Sequence, residues 1–190
     1  TITNLSPGIY SVTITDSNSC TSTTSITITQ PGVLNSSAAS TGASCNGICD
    51  GAISALASGG TSPYNYSWSG GLGTGAGKYN VCAGNYFVTV TDSNSCTSIA
   101  SISVSQPPAI VLTSSSSLAI CGSSNGTATV NATGGAGGFT YLWNNAQTGS
   151  TATGLLAGTY SVTVSDSTFC SNTTSVSVSN DIPTTLSISS

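Results

Sequence analysis

The stretch that decides the fold is Tyr86-Phe-Val-Thr-Val-Thr-Asp92-Ser-Asn-Ser-Cys96. Its apolar residues alternate with polar ones, so Tyr86, Val88 and Val90 share one face of a predicted strand. The same phrase occurs as Tyr10-Ser-Val-Thr-Ile-Thr-Asp16-Ser-Asn-Ser-Cys20 and as Tyr160-Ser-Val-Thr-Val-Ser-Asp166-Ser-Thr-Phe-Cys170. Recurrence about every 75 residues predicts a tandem array of one small domain.

A second phrase recurs at the same spacing and sets the frame of the repeats. Gly59-Gly60-Thr-Ser-Pro-Tyr64-Asn-Tyr66-Ser-Trp68 matches Gly134-Gly135-Ala-Gly-Gly-Phe139-Thr-Tyr141-Leu-Trp143. Proline marks each seam between repeats, at Gln30-Pro31, Gln106-Pro107-Pro108 and Ile182-Pro183. We expect the C-terminal part of a truncated repeat (1–30), two full β-sandwich repeats (31–106 and 107–181) and the first strand of a following repeat (182–190). Such a frame predicts a window from a longer array.

Period-two alternation and frequent Gly and Asn clusters predict strands and no long helix. In the first full repeat the strands are predicted near 33–40, 52–58, 64–68, 77–81, 85–91 and 97–105. The fold class is therefore all-β: tandem Ig-like β-sandwich repeats of about 75 residues arranged end to end. Trp68 and Trp143 are each expected in a core.

Composition excludes several classes of function. Only 3% of the residues are charged, while 37% are hydrophobic and follow the strand pattern. One lysine cannot form the basic surface that nucleic-acid binding needs, so no nucleic-acid partner is expected. No apolar run approaches the roughly 18 residues of a transmembrane helix, so no membrane span is expected.

The cysteines predict a set of disulfides, and hence an oxidising compartment. Each full repeat has an early and a late cysteine, which predicts the bonds Cys45–Cys96 and Cys121–Cys170. The inner cysteines Cys49 and Cys82 are replaced together in the second full repeat, by Asn125 and Leu156, which predicts the bond Cys49–Cys82. Cys20 is left unpaired within this window.

The titratable residues predict no catalytic centre, no transition-metal site and no cofactor. There is no histidine to serve as a base or metal ligand, and Asp16, Asp92 and Asp166 occupy equivalent positions of separate repeats. Each of these aspartates precedes a turn, where it is expected to cap its own backbone. The alternative is a calcium site with these three aspartates as candidate ligands.

The aromatic residues leave two interpretations open. By alternation, Tyr64, Tyr66 and Trp68 share one strand face, which is expected to be core. The alternative is that these residues and Tyr79 include a sugar-stacking platform. An exposed aromatic cluster would indicate a binding module, whereas buried aromatics and exposed Ser- and Thr-rich strands would indicate a stalk.

Taken together, these motifs resemble the SprB-type repeat of giant secreted surface proteins of Bacteroidota, which include the gliding-motility adhesin. The motifs are Cys45-Asn-Gly-Ile-Cys49-Asp-Gly51, the Gly-Gly…Pro-Tyr…Trp68 segment, and Cys82-Ala-Gly-Asn-Tyr86-Phe-Val-Thr-Val-Thr-Asp92 with its closing Cys96. The second full repeat departs from this pattern, since it lacks the inner cysteines and has Gly-Phe139 in place of Pro-Tyr.

The resemblance implies a secreted protein at the cell surface, exported by a dedicated secretion system, with no catalytic residues to carry over. The expected function is a non-catalytic structural region of an extracellular filament, stalk or surface adhesin. A carbohydrate- or surface-binding adhesion module is the alternative. Expected partners are further copies of the repeat, in the same chain or in neighbouring subunits, and surface polysaccharide.

Overall fold

A computed structural model describes residues 2–120 and 122–181 of the chain. These residues form fifteen β-strands, labelled β1 to β15, and no helix. No helix long and apolar enough to cross a membrane occurs among them. The predicted strand at 182–190 lies outside the described residues. The all-β prediction is confirmed, because the local period-two pattern is the pattern that the backbone adopts.

The six strands predicted for the first full repeat are all present, and a further two-residue strand, Gly73–Thr74, was not predicted. In the predicted frame, residues 1–30 contain two of these strands, the first full repeat (31–106) seven and the second full repeat (107–181) six. Their bounds are β1 Gly8–Thr15, β2 Thr21–Ile28, β3 Asn35–Thr41, β4 Gly51–Ser58, β5 Asn65–Trp68, β6 Gly73–Thr74, β7 Gly77–Val81, β8 Gly84–Thr91, β9 Thr97–Val104, β10 Val111–Ser117, β11 Gly126–Thr133, β12 Thr140–Trp143, β13 Thr151–Leu155, β14 Gly158–Ser165 and β15 Ser171–Val178.

Each full repeat contains two small antiparallel sheets. The first full repeat has the sheets β3-β4-β7 and β6-β5-β8-β9, and the second has β10-β11-β13 and β12-β14-β15. Among the described residues, β1 and β2 form a separate two-stranded antiparallel sheet. Two sheets with alternating inward residues are the architecture of Ig-like β-sandwich repeats.

The core of the second full repeat is built from alternate residues of its two sheets. Trp143 is buried at its centre, and its indole N–H donates to the Gly149 carbonyl oxygen at 2.9 Å, so its polar edge is satisfied. The buried cluster comprises Ala119, Ala128, Val130, Trp143, Ala152, Leu155, Val162, Val164, Val176 and Val178.

Matching positions of the first full repeat are also buried. Trp68 is 5% exposed and donates its indole N–H to the Gly75 carbonyl oxygen at 2.9 Å. The two tryptophans thus hold equivalent core positions, as predicted. The other buried apolar side chains include Ile53, Ala55, Val81, Val88, Val90 and Val104.

The β1–β2 hairpin presents the same apolar face without a cover. Val12 and Ile14 are 55% and 67% exposed, whereas their counterparts Val88 and Val90 are fully buried. The residue pattern is therefore that of a sandwich sheet, and only the packing partner differs.

The repeated tyrosine of the opening phrase has a constant structural role. In each copy its hydroxyl donates to the carbonyl oxygen four residues earlier, which fixes the entry into the strand. The three bonds are Tyr10 to Ser6 at 2.8 Å, Tyr86 to Cys82 at 3.0 Å and Tyr160 to Leu156 at 3.1 Å.

Contacts divide the chain into two compact units that do not follow the repeat frame. One consists of the described residues up to Ala38, with Ala55–Ala76 and Phe87–Ser101. The other consists of Ala39–Ser54, Gly77–Tyr86 and the described residues from Ile102 onward. The first full repeat contributes to both units, so the boundaries at 30/31 and 106/107 remain predictions.

Candidate functional site: the disulfide-bonded junction

The structure bonds Cys45 to Cys170 and Cys49 to Cys82. Cys20 and Cys96 are free and exposed. The Cys49–Cys82 bond is the predicted one, and Cys20 is unpaired as expected. The predicted bonds Cys45–Cys96 and Cys121–Cys170 are wrong, because Cys45 is bonded to Cys170. Cys121 itself lies outside the described residues.

Strand length explains why Cys45 does not bond to Cys96. The backbone N–H of Ala43 donates to the Ser105 carbonyl oxygen, directly after β9, whereas Cys96 directly precedes that strand. Eight residues at about 3.3 Å each separate the two ends of β9 by about 26 Å. Cα atoms joined by a disulfide lie within about 7 Å of each other. The early and late cysteines of one repeat are therefore at opposite ends of its last strand.

The second full repeat has the same arrangement. Ala119 forms a bridge with Asn180, and its N–H donates to the Ser179 carbonyl oxygen after β15. Cys170 precedes β15, so it lies at the other end of the repeat. There it meets Cys45 of the first full repeat with a Cα–Cα distance of 5.6 Å. We call Ser44–Asp50, Gln106–Ile110 and Asp166–Asn172 the junction; all of it lies within the second compact unit.

The segment that carries Cys45 is a tight loop closed at both ends. The Asp50 carboxylate accepts the N–H of Ser44 at 2.8 Å, and the Ile48 N–H donates to the Cys45 carbonyl oxygen at 3.3 Å. Gly47 has φ +76°, a left-handed conformation that glycine adopts without strain. The Cys49–Cys82 bond fixes the end of the loop. We call residues 44–50 the hook.

Two hydrogen bonds attach the hook to the proline seam. The Asn46 side-chain amide donates to the Pro107 carbonyl oxygen at 3.0 Å, and the Gly47 N–H donates to the Gln106 side-chain carbonyl oxygen at 2.9 Å. Proline has no N–H of its own but keeps this acceptor. The hook is thus joined to the seam by these two hydrogen bonds and to Cys170 by the Cys45–Cys170 bond.

Cys170 is presented by an aspartate-capped loop between β14 and β15. The Asp166 carboxylate accepts the N–H groups of Thr168 and Cys170 at 2.9 and 3.0 Å, and the Ala136 N–H at 2.9 Å. Phe169, just before the cysteine, has φ +65° and is 90% exposed. The carboxylate therefore holds the backbone that aims Cys170 at the hook.

The same cap occurs in all three copies of the opening phrase. One carboxylate oxygen accepts the N–H groups two and four residues later, which is the turn-capping role predicted for these aspartates. The distances are 2.9 and 2.9 Å for Asp16, 2.9 and 2.8 Å for Asp92, and 2.9 and 3.0 Å for Asp166. The structure thus shows these candidate calcium ligands as backbone caps.

Hydrogen bonds to the carboxylates set their electrostatics. The backbone N–H of Thr61 lowers the pKa of Asp92, and the N–H of Ala136 lowers the pKa of Asp166, because each bond favours the ionised form over desolvation. The pKa of Asp50 in the hook is lowered mainly by the Ser44 hydroxyl. The carboxylates of Asp50, Asp92 and Asp166 are thus anionic at neutral pH.

A cavity of about 410 Å³ lies in the junction, lined by hook, seam and capped loop. It is lined by Cys45, Asn46, Ile48, Pro107, Pro108, Ala109, Ile110, Asp166, Phe169, Cys170, Ser171 and Asn172. It holds one titratable side chain, Asp166, whose oxygens already accept hydrogen bonds. Among residues 2–120 and 122–181 no three His, Cys, Asp or Glu side chains cluster as a metal site would require.

A similar groove, lined by residues of the first compact unit, contains the free Cys96. It has a volume of about 370 Å³, and we call it the Cys96 groove. Its lining includes the preceding seam, Gln30-Pro31, in the place that Gln106-Pro107 takes at the junction. The full lining is Gln30, Pro31, Gly32, Val33, Leu34, Gly60, Asp92, Asn94, Cys96 and Thr97.

The predicted aromatic residues do not form one exposed platform. Trp68 is buried, and Tyr64 and Tyr66 are half-buried. Tyr79 is 83% exposed and lies beside a shallow cavity of about 240 Å³ whose other lining residues are small or aliphatic.

Sequence reasoning used the Gln-Pro seams only as boundaries. The structure shows that Gln106 and Pro107 also provide acceptors for Asn46 and Gly47. The signal that could have revealed this was the repetition of glutamine itself before the seam proline, at Gln30 and Gln106.

Three of the solved structures that are similar to this chain have low sequence identity to it. DIP-gamma IG1+IG2 is 16% identical, with a TM-score of 0.37, 82% of this chain and 99% of that chain being covered. Dpr11 IG1 bound to DIP-gamma IG+IG2 is 18% identical, with a TM-score of 0.32 and coverages of 80% and 99%. Murine CEACAM1b is 13% identical, with a TM-score of 0.29 and coverages of 78% and 100%. The fold assignment rests on the strand topology of the chain itself.

The family comparison agrees with the motifs. No curated protein matches the chain. The family model described as SprB repeat matches residues 37–73 and 113–148, one segment in each full repeat. Both segments contain the buried tryptophan, Trp68 or Trp143, together with the strands before it. Two segments of the chain, one in each predicted full repeat, are therefore similar to the SprB repeat.

Proposed function

We propose that this chain is a non-catalytic structural region of an extracellular filament, stalk or surface adhesin. The observation that carries the proposal is the Cys45–Cys170 bond, which joins the hook of one full repeat to the capped loop of the next. We further propose the repeat frame 31–106 and 107–181, with repeats arranged end to end and further copies of the repeat as partners.

The bond changes how tension travels along the chain. A force applied through the termini reaches Cys45, crosses the disulfide to Cys170, and continues without loading the residues between them. The bond spans 125 residues, which includes most of both full repeats. A connection of this kind suits a load-bearing stalk, because domains shielded from force do not unfold when the stalk is pulled.

The repeated polar residues support a structural role. Asp92 and Asp166 cap loops, Gln106 holds the hook, and Tyr86 and Tyr160 fix strand entries. Each of these side chains has a backbone partner. An enzyme would need a nucleophile or base directed at a substrate.

An extracellular location is supported by the disulfides, which persist in oxidising compartments. The test is antibody labelling with serum raised against the purified chain. Intact cells should be labelled, and brief treatment with external protease should remove the label. Labelling that appears only after the cells are permeabilised would contradict the proposal.

A second candidate, a carbohydrate-binding module, is favoured by one observation, the exposed Tyr79 ring beside a shallow cavity. Binding of purified surface polysaccharide to the chain and to Tyr79→Ala separates the two candidates. The stalk proposal expects no binding that depends on Tyr79. Saturable binding lost in Tyr79→Ala, with Phe169→Ala as the exposed-aromatic control, would favour the binding module.

A further inference from the structure

We propose that the Cys96 groove is a covalent docking site for the hook of the preceding SprB repeat in the same polypeptide, the repeat to which residues 1–30 belong. The bond formed would be the counterpart of Cys45–Cys170, one repeat earlier. The inference goes beyond the structural role proposed above and is argued from the junction geometry alone.

The first step is that Cys96 is presented in the same way as Cys170. The Asp92 carboxylate accepts the N–H groups of Asn94 and Cys96 at 2.9 and 2.8 Å, and the Thr61 N–H at 2.9 Å. Ser95, just before the cysteine, has φ +66°, as Phe169 has φ +65°. Cys170 carries a bonded partner and Cys96 is a free, exposed thiol.

The second step is that the acceptors for a hook stand beside Cys96. At the bonded junction Asn46 and Gly47 donate to the Pro107 and Gln106 oxygens. Pro31 and Gln30 occupy the same sequence positions at the preceding seam, and both line the Cys96 groove. The groove therefore offers the two acceptors that hold a hook at the junction.

The third step identifies the occupant. A segment that uses both acceptors needs a cysteine, then a side-chain donor, then a residue that tolerates a left-handed conformation, since Gly47 has φ +76°. The sequence Cys45-Asn46-Gly47 meets these demands at the bonded junction. The occupant is thus another copy of the hook, and the seam Gln30-Pro31 assigns it to the repeat that ends there.

Cys20 provides an internal comparison. Its loop has the same aspartate cap, with the Asp16 carboxylate accepting the Cys20 N–H at 2.9 Å, and its thiol is also free and exposed. No glutamine precedes it in this sequence, so it lacks the seam acceptors. The Cys20 and Cys96 thiols are thus presented by the same kind of capped loop, but only Cys96 lies in a groove that contains the seam residues Gln30 and Pro31.

The bond would form by thiol–disulfide exchange with a small-molecule disulfide such as oxidised glutathione. The Cys96 thiolate attacks one sulfur, and one glutathione thiolate leaves. The hook thiolate then attacks the Cys96 sulfur of the mixed disulfide, and the second glutathione thiolate leaves. Two protein thiols are oxidised, two molecules of glutathione are formed, and the two protons pass to water and the leaving thiolates.

The first test uses the 190-residue chain and a synthetic peptide of residues 43–50 with Cys49→Ser. The peptide thiol is activated as a mixed disulfide with thionitrobenzoate, so that attack by a protein thiolate releases a coloured anion. Peptide mapping then assigns the modified cysteine. Cys96 should react about tenfold or more faster than Cys20, because two hydrogen bonds hold the peptide beside it.

Matched variants make the result specific. Gln30→Ala in the chain, or Asn46→Ala in the peptide, should reduce the Cys96 rate towards the Cys20 rate while leaving the Cys20 rate unchanged. A thermal unfolding transition equal to that of the original chain shows that the variant chain is folded. Equal rates at Cys96 and Cys20 in the original chain, or no effect of either variant, would overturn the proposal.

A second test addresses the source of the hook. A chain lengthened at its N-terminus by a copy of residues 31–76, with Cys49→Ser in the copy, places a hook with its early cysteine, the copy of Cys45, before residues 1–30. After oxidation, mapping should join that cysteine to Cys96. A bond to Cys20, or bonds only between separate chains, would overturn it. Neither test depends on where the protein resides, so their failure would leave the proposed function standing.

Discussion

The force-bearing role of the Cys45–Cys170 bond leads to a prediction of length. The perturbation is the double variant Cys45→Ser with Cys170→Ser, pulled from both termini in a single-molecule experiment. The intact bond hides a loop of 125 residues from the force. At about 3.5 Å per extended residue, that loop corresponds to about 440 Å of hidden chain.

The released length is smaller than the hidden length, because the Cys49–Cys82 bond lies inside the loop. That bond spans 33 residues and keeps its own part of the chain, about 115 Å, hidden in the double variant. The double variant should therefore extend about 320 Å further than the original chain before the polymer is taut. The Cys45–Cys170 bond should also contribute about 5 kcal/mol to the free energy of unfolding in the chain-entropy model.

The control is Cys49→Ser with Cys82→Ser. It removes the inner bond, which lies wholly within the shielded loop, so its full extension should equal that of the original oxidised chain. Reduction of the original chain with dithiothreitol should release about 440 Å, since both bonds then open. If the oxidised original chain and the double variant reach the same extension, the force-shielding argument is wrong.

Three further predictions concern stability. Thermal unfolding at a series of pH values should show stability lost as the pH falls below about 4, because folding lowers the Asp166 pKa and protonation removes the carboxylate cap. Asp166→Asn should flatten this loss, and an unchanged pH profile in that variant would contradict the role of the cap. Val162→Ala should lower the free energy of unfolding in urea titrations by about 2 kcal/mol, whereas the equivalent change Val12→Ala on the exposed hairpin should alter it by no more than about 0.5 kcal/mol. Equal changes in the two variants would refute the conclusion that Val162 is buried and Val12 is not. Gly60→Ala should lower the free energy of unfolding by about 1–3 kcal/mol, because φ is +58° and the added Cβ would lie 2.7 Å from the Asp92 carboxylate oxygen. Gly71→Ala has a similar φ of +72° but no atom near the added Cβ, so it measures the conformational strain without the clash and should cost less.

Local patterns in the chain predicted the elements that depend on neighbouring residues. Alternation predicted β8 and β9 because period two is a property of the strand itself. Asp92 and Asp166 were assigned as caps because the N–H groups they accept lie two and four residues away in sequence. The resemblance to the SprB repeat also followed from sequence, since its motifs are contiguous phrases.

The inner disulfide was also open to sequence reasoning. Cys49 and Cys82 are absent together from the second full repeat, where Asn125 and Leu156 stand in their places. Joint loss marks a pair without any knowledge of distance, and the structure contains this bond.

The partner of Cys45 was decided by tertiary structure. Cys96 and Cys170 follow the same phrase and are presented by the same capped loop, so local sequence does not distinguish them. What separates them is the length of β9, about 26 Å, because Cys96 precedes this strand and the segment before Cys45 contacts the residue after it. A disulfide forms only between cysteines brought within a few ångströms, and here the fold brings the next repeat, with Cys170, to the end where Cys45 lies.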